Sequence, residues 1–416
     1  MPSGEPSIGD EALAVPRTEK ERAMTTWTGV SWTALLAAAT LSGCQSSSSS
    51  SAPASAQGSG LAAPMAASVA APAAAGGTLK GICPDKIVIQ TDWYATPERA
   101  MAYQLVGANG VVDKKKGTFS GPLAGAGVDV EVRLGGPFIG FQPIPAQMYQ
   151  DPTVFLGLVA TDDAVQAADK FPTKAVVAPL EINPQILMWD PATYKIEEWA
   201  DVAKTKAKVV YLEGLPFMDY LVSKGFVTKD QKDAAFDGTP SRFVAGGGKV
   251  IQQGYASNEP FRWENDVPGW KKPVKYLLVH DSGYQIYPQG VAIRSDKFEA
   301  SRACLKLLVP MMQKAEVDYM TDPTGTNAAL LKIATTLGDG PPVTAAGNAD
   351  AVKVMKTLGI VGNGPDATLG NFDTARVERT IALLRPIFAA RKVTVSEKLT
   401  AGDLVTNEFI DPAIHL

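Results

Sequence analysis

Between Lys86 and His280 the chain switches repeatedly between two hydrophobic periods, and this alternation restricts its fold more than any other feature. Lys86–Asp92 (KIVIQTD) is a short β-rich apolar run, which predicts a buried strand. Thr96-Pro97-Glu98 reads as a helix start: a capping residue, a proline in the first turn and an acid near the positive end. That helix is expected to reach Val106 and stop at Gly107. In Gly127–Leu134, Val128, Val130, Val132 and Leu134 alternate with Asp129, Glu131 and Arg133, the pattern of a half-buried strand. Further strands are expected at Val154–Val159, Ala175–Ala178, Lys208–Leu212, Lys249–Tyr255 and Val274–His280. Helices fall between them, from about Asp162, at Ile196–Lys204 and after Pro216. Such alternation predicts an α/β fold, with parallel or mixed sheets flanked by helices. After Ser295 the pattern is mainly helical.

The body runs from about Leu79 to Leu416. About 335 residues exceed one comfortable hydrophobic core and predict two domains. A net charge of −4 gives no basic excess, so nucleic acid is not an expected partner.

The N-terminal region is of a different kind. Val30–Gly43 (VSWTALLAAATLSG) is small and apolar, but shorter than the ~20 residues that span a bilayer. It suits the hydrophobic core of an export signal, with Arg17, Lys20 and Arg22 upstream and Met24 as an alternative start. Leu41-Ser42-Gly43-Cys44 resembles the bacterial lipobox, which implies cleavage before Cys44 and acylation of that residue. Two or more acyl chains anchor a protein stably at a membrane. Residues 45–79 are Ser, Ala, Pro and Gly with almost no charge, a composition that cannot form a core. As a flexible tether, about 35 residues would reach ~30–35 Å. Two cysteines follow, Cys83 and Cys304. Outside the membrane such a pair is expected to be bridged, the alternative being two buried thiols.

Chemistry is sparse. The two histidines, His280 and His415, have no metal-ligand spacing, so neither a metal nor a cofactor is expected. His280-Asp281-Ser282 has the letters of a triad, but consecutive side chains do not converge on one point. Gly246-Gly247-Gly248-Lys249 lacks P-loop spacing. No nucleophile elbow is present, so a binder is expected rather than a secreted hydrolase.

In α/β sheets, ligands bind beyond the carboxyl ends of strands. Aromatic and polar residues gather there: Asp92, Trp93 and Tyr94 after the first strand, and Thr161, Asp162 and Asp163 after Val154–Val159. Glu213 follows Lys208–Leu212, with Phe217 just beyond. Tyr255 and Glu259 follow Lys249–Tyr255, and Asp281 and Tyr284 follow Val274–His280. Flat rings and carboxylates suit a planar, nitrogen-rich, neutral or cationic molecule. The alternative is that the rings cover the core and the acids pair with Arg99 and Arg262.

The stretch Gln90–Gly107 (QTDWYATPERAMAYQLVG) resembles the opening of the NMT1/THI5-like family, which has the type II periplasmic-binding fold. Asp92, Trp93 and Tyr103 fit that family's pattern; Ala95 and Thr96 stand at its Pro-Asn, and Arg99 at its His. Gly254–Pro260 (GYASNEP) resembles its Gly-Tyr-x-x-Asn-Glu-Pro segment. The resemblance covers roughly residues 85–300. It implies a signal over 1–43, a lipidated tether over 44–79, lobe one over 80–178 and 288–416, and lobe two over 179–287. Crossovers fall near Val177–Asn183 and Asp281–Gly290, and the closing helices cover lobe one. The implied function is an extracytoplasmic, membrane-anchored solute-binding lipoprotein, monomeric, serving the permease of an ABC transporter. The implied ligand is a thiamine-precursor pyrimidine or a similar small-molecule solute, held between two closing lobes. Fungal members that synthesise the pyrimidine use a cysteine-rich motif and the His, which this chain lacks; the implied protein is not an enzyme. The rival on the same fold is a binder of small anions such as nitrate, sulfonate or taurine. Against it, the loop Glu213–Asp219 offers two acids and no hydroxyl. A purely structural lipoprotein is the remaining alternative.

Overall fold

The computed structural model describes residues 78–416 except 339. The signal, Cys44 and nearly all of the tether lie outside the described residues. Among the described residues no helix is long and apolar enough to cross a membrane.

Two mixed sheets form the framework. The first has seven strands in the order β2-β3-β4-β1-β5-β12-β6. These are β1 (Lys86–Gln90), β2 (Val111–Asp113), β3 (Thr118–Pro122), β4 (Asp129–Arg133), β5 (Leu156–Val159), β6 (Thr173–Val177) and β12 (Gly290–Arg294). β1 runs parallel to β4 and β5, as its almost continuous burial requires. β12 pairs antiparallel with both β5 and β6. The second sheet has the order β11-β7-β10-β8-β9. It contains β7 (Gln185–Trp189), β8 (Lys208–Val210), β9 (Lys232–Asp233), β10 (Val250–Tyr255) and β11 (Lys275–Leu278). The chain therefore crosses between sheets twice, over residues 178–184 and 279–289.

On β4 the expected alternation holds: Val130 and Val132 are buried, while Glu131 and Arg133 join Lys86 and Asp151 in a chain of ion pairs 2.7–3.2 Å long. Helix α1 (Ala100–Val106) is buried at every residue, under the long helix α8 (Ser295–Thr321) and beside α9 (Thr324–Leu337). Cys83 and Cys304 form a disulfide that ties the start of the described chain to α8.

Short helices follow the strands: α2 (Ile144–Gln150), α3 (Thr161–Ala167), α4 (Trp199–Lys204), α5 (Pro216–Ser223), α6 (Ser241–Ala245) and α7 (Glu259–Asn265). Toward the C-terminus lie α10 (Ala345–Thr357), α11 (Thr374–Ala390) and α12 (Ala401–Leu404). Helix α11 packs against elements that follow both sheets. Val377, Ile381, Leu384 and Phe388 of α11 are buried in one core that also contains Val209 and Leu221 from the second body. This apolar face is wide enough to pack on α3 and α5 together.

Arg376, on the first turn of α11, holds both crossovers. Its guanidinium donates to the carbonyl of Glu181 (2.8 Å) and to its carboxylate (2.9 Å) on one crossover. On the other it donates to the carbonyls of Gln285 (2.7 Å) and Ile286 (2.8 Å), and it lies 3.9 Å from the Tyr287 ring centroid. At the far end, Arg391 donates to Asp219 (2.6 Å) and to the carbonyls of Gly214 and Leu215.

Candidate functional site

A cavity of about 280 Å³ is lined by residues from both sheets. This volume is near the lower end of the range for small-molecule pockets. On the first-sheet side, the turn after β1 brings Asp92 and Trp93, and the segment after β5 brings Asp162 and Asp163 on the first turn of α3. The turn after β4 adds Phe141 and Gln142. Gly135 makes that crowded turn possible: a Cβ there would fall 2.2 Å from the Thr91 carbonyl oxygen and 2.4 Å from the Asp92 carbonyl carbon. On the second-sheet side, Glu213 and Phe217 follow β8, and Tyr255, Glu259 and Arg262 follow β10. Asn183 and Gln185 stand at the entry to β7.

Charge in the cavity is unevenly placed. Arg99 is bound by Asp92 in a two-point ion pair, Nε to Oδ1 at 2.7 Å and Nη2 to Oδ2 at 2.6 Å. Burial works against its charge, but the Asp92 carboxylate outweighs this and holds the guanidinium protonated. Its plane lies 5.7 Å from the Tyr255 ring centroid. Glu259 accepts the N–H of Tyr255 and lies 3.7 Å from Arg262. Burial raises the Glu259 carboxyl above its ordinary range, with Arg262 opposing. Asp162 accepts from the Tyr284 hydroxyl at 2.6 Å, and burial raises it as well. Burial, with Asp162 and Asp92 nearby, pushes Asp163 up to about 8.

Of the residues expected at strand ends, Asp92, Trp93, Asp162, Glu213, Phe217, Tyr255 and Glu259 line the cavity. Four do not. Tyr94 turns instead onto Phe138, with ring centroids 5.8 Å apart. Thr161 is buried, and its hydroxyl bonds the carbonyl and N–H of Tyr287. β11 ends at Leu278, so Val279–Ser282 forms a 3₁₀ turn that leaves Asp281 exposed. Tyr284 is buried beneath the site, positioning Asp162 instead of forming a wall.

Asp163, at the same strand end as Asp162, lines the cavity too; Gln142, Phe141, Asn183, Gln185 and Gln253 also line it and were not among the expected residues. Phe141 and Gln142 follow β4, an expected strand whose carboxyl end carries the same signal. Asn183 and Gln185 border β7, where Asn183-Pro184 reads as a crossover and not as a strand start.

No family model matches the chain, and no curated protein matches it significantly. Solved structures do resemble it. The alkanesulfonate-binding protein SsuA of Xanthomonas axonopodis pv. citri, determined with MOPS bound, is 12% identical with a TM-score of 0.50, over 78% of this chain and 98% of that one. The periplasmic aliphatic sulphonate binding protein SsuA of Escherichia coli is 14% identical with a TM-score of 0.52, over 78% and 92%. At such identities the likeness establishes architecture: this chain has the periplasmic-binding-protein fold, two mixed sheets flanked by helices.

Proposed function

We propose that this chain is an extracytoplasmic solute-binding lipoprotein of an ABC importer, and that its cavity takes a small planar nitrogen heterocycle bearing an amino group. The fold and the cavity between the two sheets support the general role. The observation that carries the ligand class is that α3, α5 and α7 each begin at the cavity with a carboxyl group at or just before the first turn, while α2 begins there with none. α3 begins with Asp162 and Asp163, α7 with Glu259, and α5 follows Glu213, all of which line the cavity. An anion held at these helix starts would have to displace those groups or force protons onto them. Arg99, the obvious counter-charge, is already bound on two sides by Asp92.

An aminoheterocycle meets the opposite situation. Its N–H groups supply what the carboxylates lack, and Trp93, Phe217 and Tyr255 supply ring faces. A carboxyl such as Asp163, which keeps its proton near neutral pH, can donate to a ring nitrogen while accepting from the adjacent amino group.

Thermal unfolding of the full chain tests this reading. A 4-aminopyrimidine at ~100 times its dissociation constant adds ~2.7 kcal/mol, worth about 4 °C for a body of roughly 340 residues. Taurine, alkanesulfonates and nitrate are expected to leave the midpoint in place. A shift with the sulfonates and none with the heterocycle would transfer the protein to the ligand class named for its structural neighbours. For the anchor, Cys44→Ala is expected to release the chain from the membrane fraction, and unchanged membrane association would refute lipidation there.

A further inference from the structure

The wall built by the second sheet carries amide donors beside its own carboxyl groups, Glu213 and Glu259. Asn183 is 1% exposed and lines the cavity. Its Oδ1 accepts the N–H of Gln185 at 3.1 Å, which fixes the two ends of the amide. Its Nδ2 is then a buried donor with no acceptor among the described residues. Gln253 is fixed in the same sense, since its Oε1 accepts the N–H of Leu212 at 2.9 Å and its NH₂ is the end left over. A buried amide N–H without a partner costs ~1–3 kcal/mol, and native structures rarely leave one without a reason. Opposite these donors stand the acceptors of the first-sheet side, Asp92, Asp162 and Asp163.

We propose that Asn183 is a specificity-determining residue that donates from Nδ2 to a neutral acceptor on the ligand, a ring nitrogen or a carbonyl oxygen, with Gln253 beside it. The ligand then has two unlike edges, N–H donors toward the carboxyl groups and an acceptor toward the amides. This rests on the reading of the cavity as a site for a nitrogen heterocycle and narrows it: an aryl amine without a ring acceptor satisfies only half of the site. Asn183 also lies in the first crossover, two residues beyond Glu181, which Arg376 holds. A ligand bonded to Asn183 therefore touches the segment that joins the two sheets.

The test is calorimetric titration of the full chain with 4-aminopyrimidine and with aniline, which has the same shape and amino group but no ring nitrogen. Wild type is expected to prefer 4-aminopyrimidine by about tenfold, the scale of one well-formed hydrogen bond in a desolvated site. Asn183→Asp keeps an acceptor for the Gln185 N–H and removes the donor. It is expected to weaken 4-aminopyrimidine about tenfold, with aniline changing less than about threefold and the unfolding midpoint holding. Asn183→Leu is expected to repeat the pattern without adding charge. Equal affinity of wild type for both compounds, or no loss in either variant, overturns the proposal. Tighter binding of taurine, lost in Asn183→Asp, overturns it differently, by making the acceptor anionic. Binding of none of the three by wild type removes the underlying functional reading, and the proposal falls with it.

Discussion

Glu316 sits on α8 with 3% of its surface exposed and no hydrogen-bond or ion-pair partner among the described residues. Burial alone pushes its carboxyl up to about 8 from an ordinary 4.5. Below the unfolded-state value both states hold the proton, and the side chain has no pH-dependent effect. Between the two values the folded state keeps a proton that the unfolded state releases. Stability then falls as pH rises, by ~1.4 kcal/mol per pH unit, until the folded carboxyl ionises. Glu316→Gln preserves volume and removes the titration. The variant should gain on wild type by about 2.7 kcal/mol between pH 5.5 and 7.5. With ~2.1 cal/mol/K of unfolding entropy per residue, this is a relative rise of about 4 °C in midpoint. Asp162 and Asp163 titrate in the same direction, but they are common to both proteins and cancel in the difference. The assay is thermal unfolding by circular dichroism of both proteins at the two pH values. A midpoint difference that is the same at pH 5.5 and pH 7.5 would refute the reasoning.

Three further outcomes are expected. Arg376→Met should lower stability by about 3–5 kcal/mol, because it frees both crossovers at once; a loss under 1 kcal/mol in denaturant titration would contradict that role. Gly135→Ala should abolish the ligand-induced thermal shift, because the added methyl group collides with backbone at Thr91 and Asp92, and an unchanged shift would show that the turn can yield. Replacing Cys83 and Cys304 together by Ser should cost about 2–5 kcal/mol, and alkylation of the denatured, unreduced wild type should label neither cysteine.

The parts of the fold legible in the sequence are those where one periodicity dominates. Asp129–Arg133 alternates cleanly because one face of β4 meets the core and the other carries ion pairs. β7 was lost for the opposite reason. Gln185–Trp189 is buried at all five positions, so it has no alternation, and the preceding Asn183-Pro184 suggests a turn. β12 spans Gly290–Arg294 and begins at Gly290, the last residue of the stretch where a returning crossover is expected. The candidate site was legible where a strand end had been recognised. It was hidden where a side chain's role depends on tertiary contacts: nothing local distinguishes Tyr284, under Asp162, from a cavity wall. Nor does composition reveal that Asn183 presents its NH₂ and not its oxygen, which follows only from the Gln185 N–H beside it.

Helix α11 also has a mechanical consequence. At one end a single guanidinium grips both peptides that connect the sheets, so these peptides cannot separate from each other. The two crossovers are thereby held together at one point. At the other end Arg391 grips Gly214, Leu215 and Asp219, at the start of α5. The helix thus ties both crossovers at its start and the segment before and into α5 at its finish. Gly214 and Leu215 line the cavity, so the grip of Arg391 holds part of the cavity wall itself. The ion pair of Arg391 with Asp219 is half-buried, so added salt screens that hold less than it would an exposed pair.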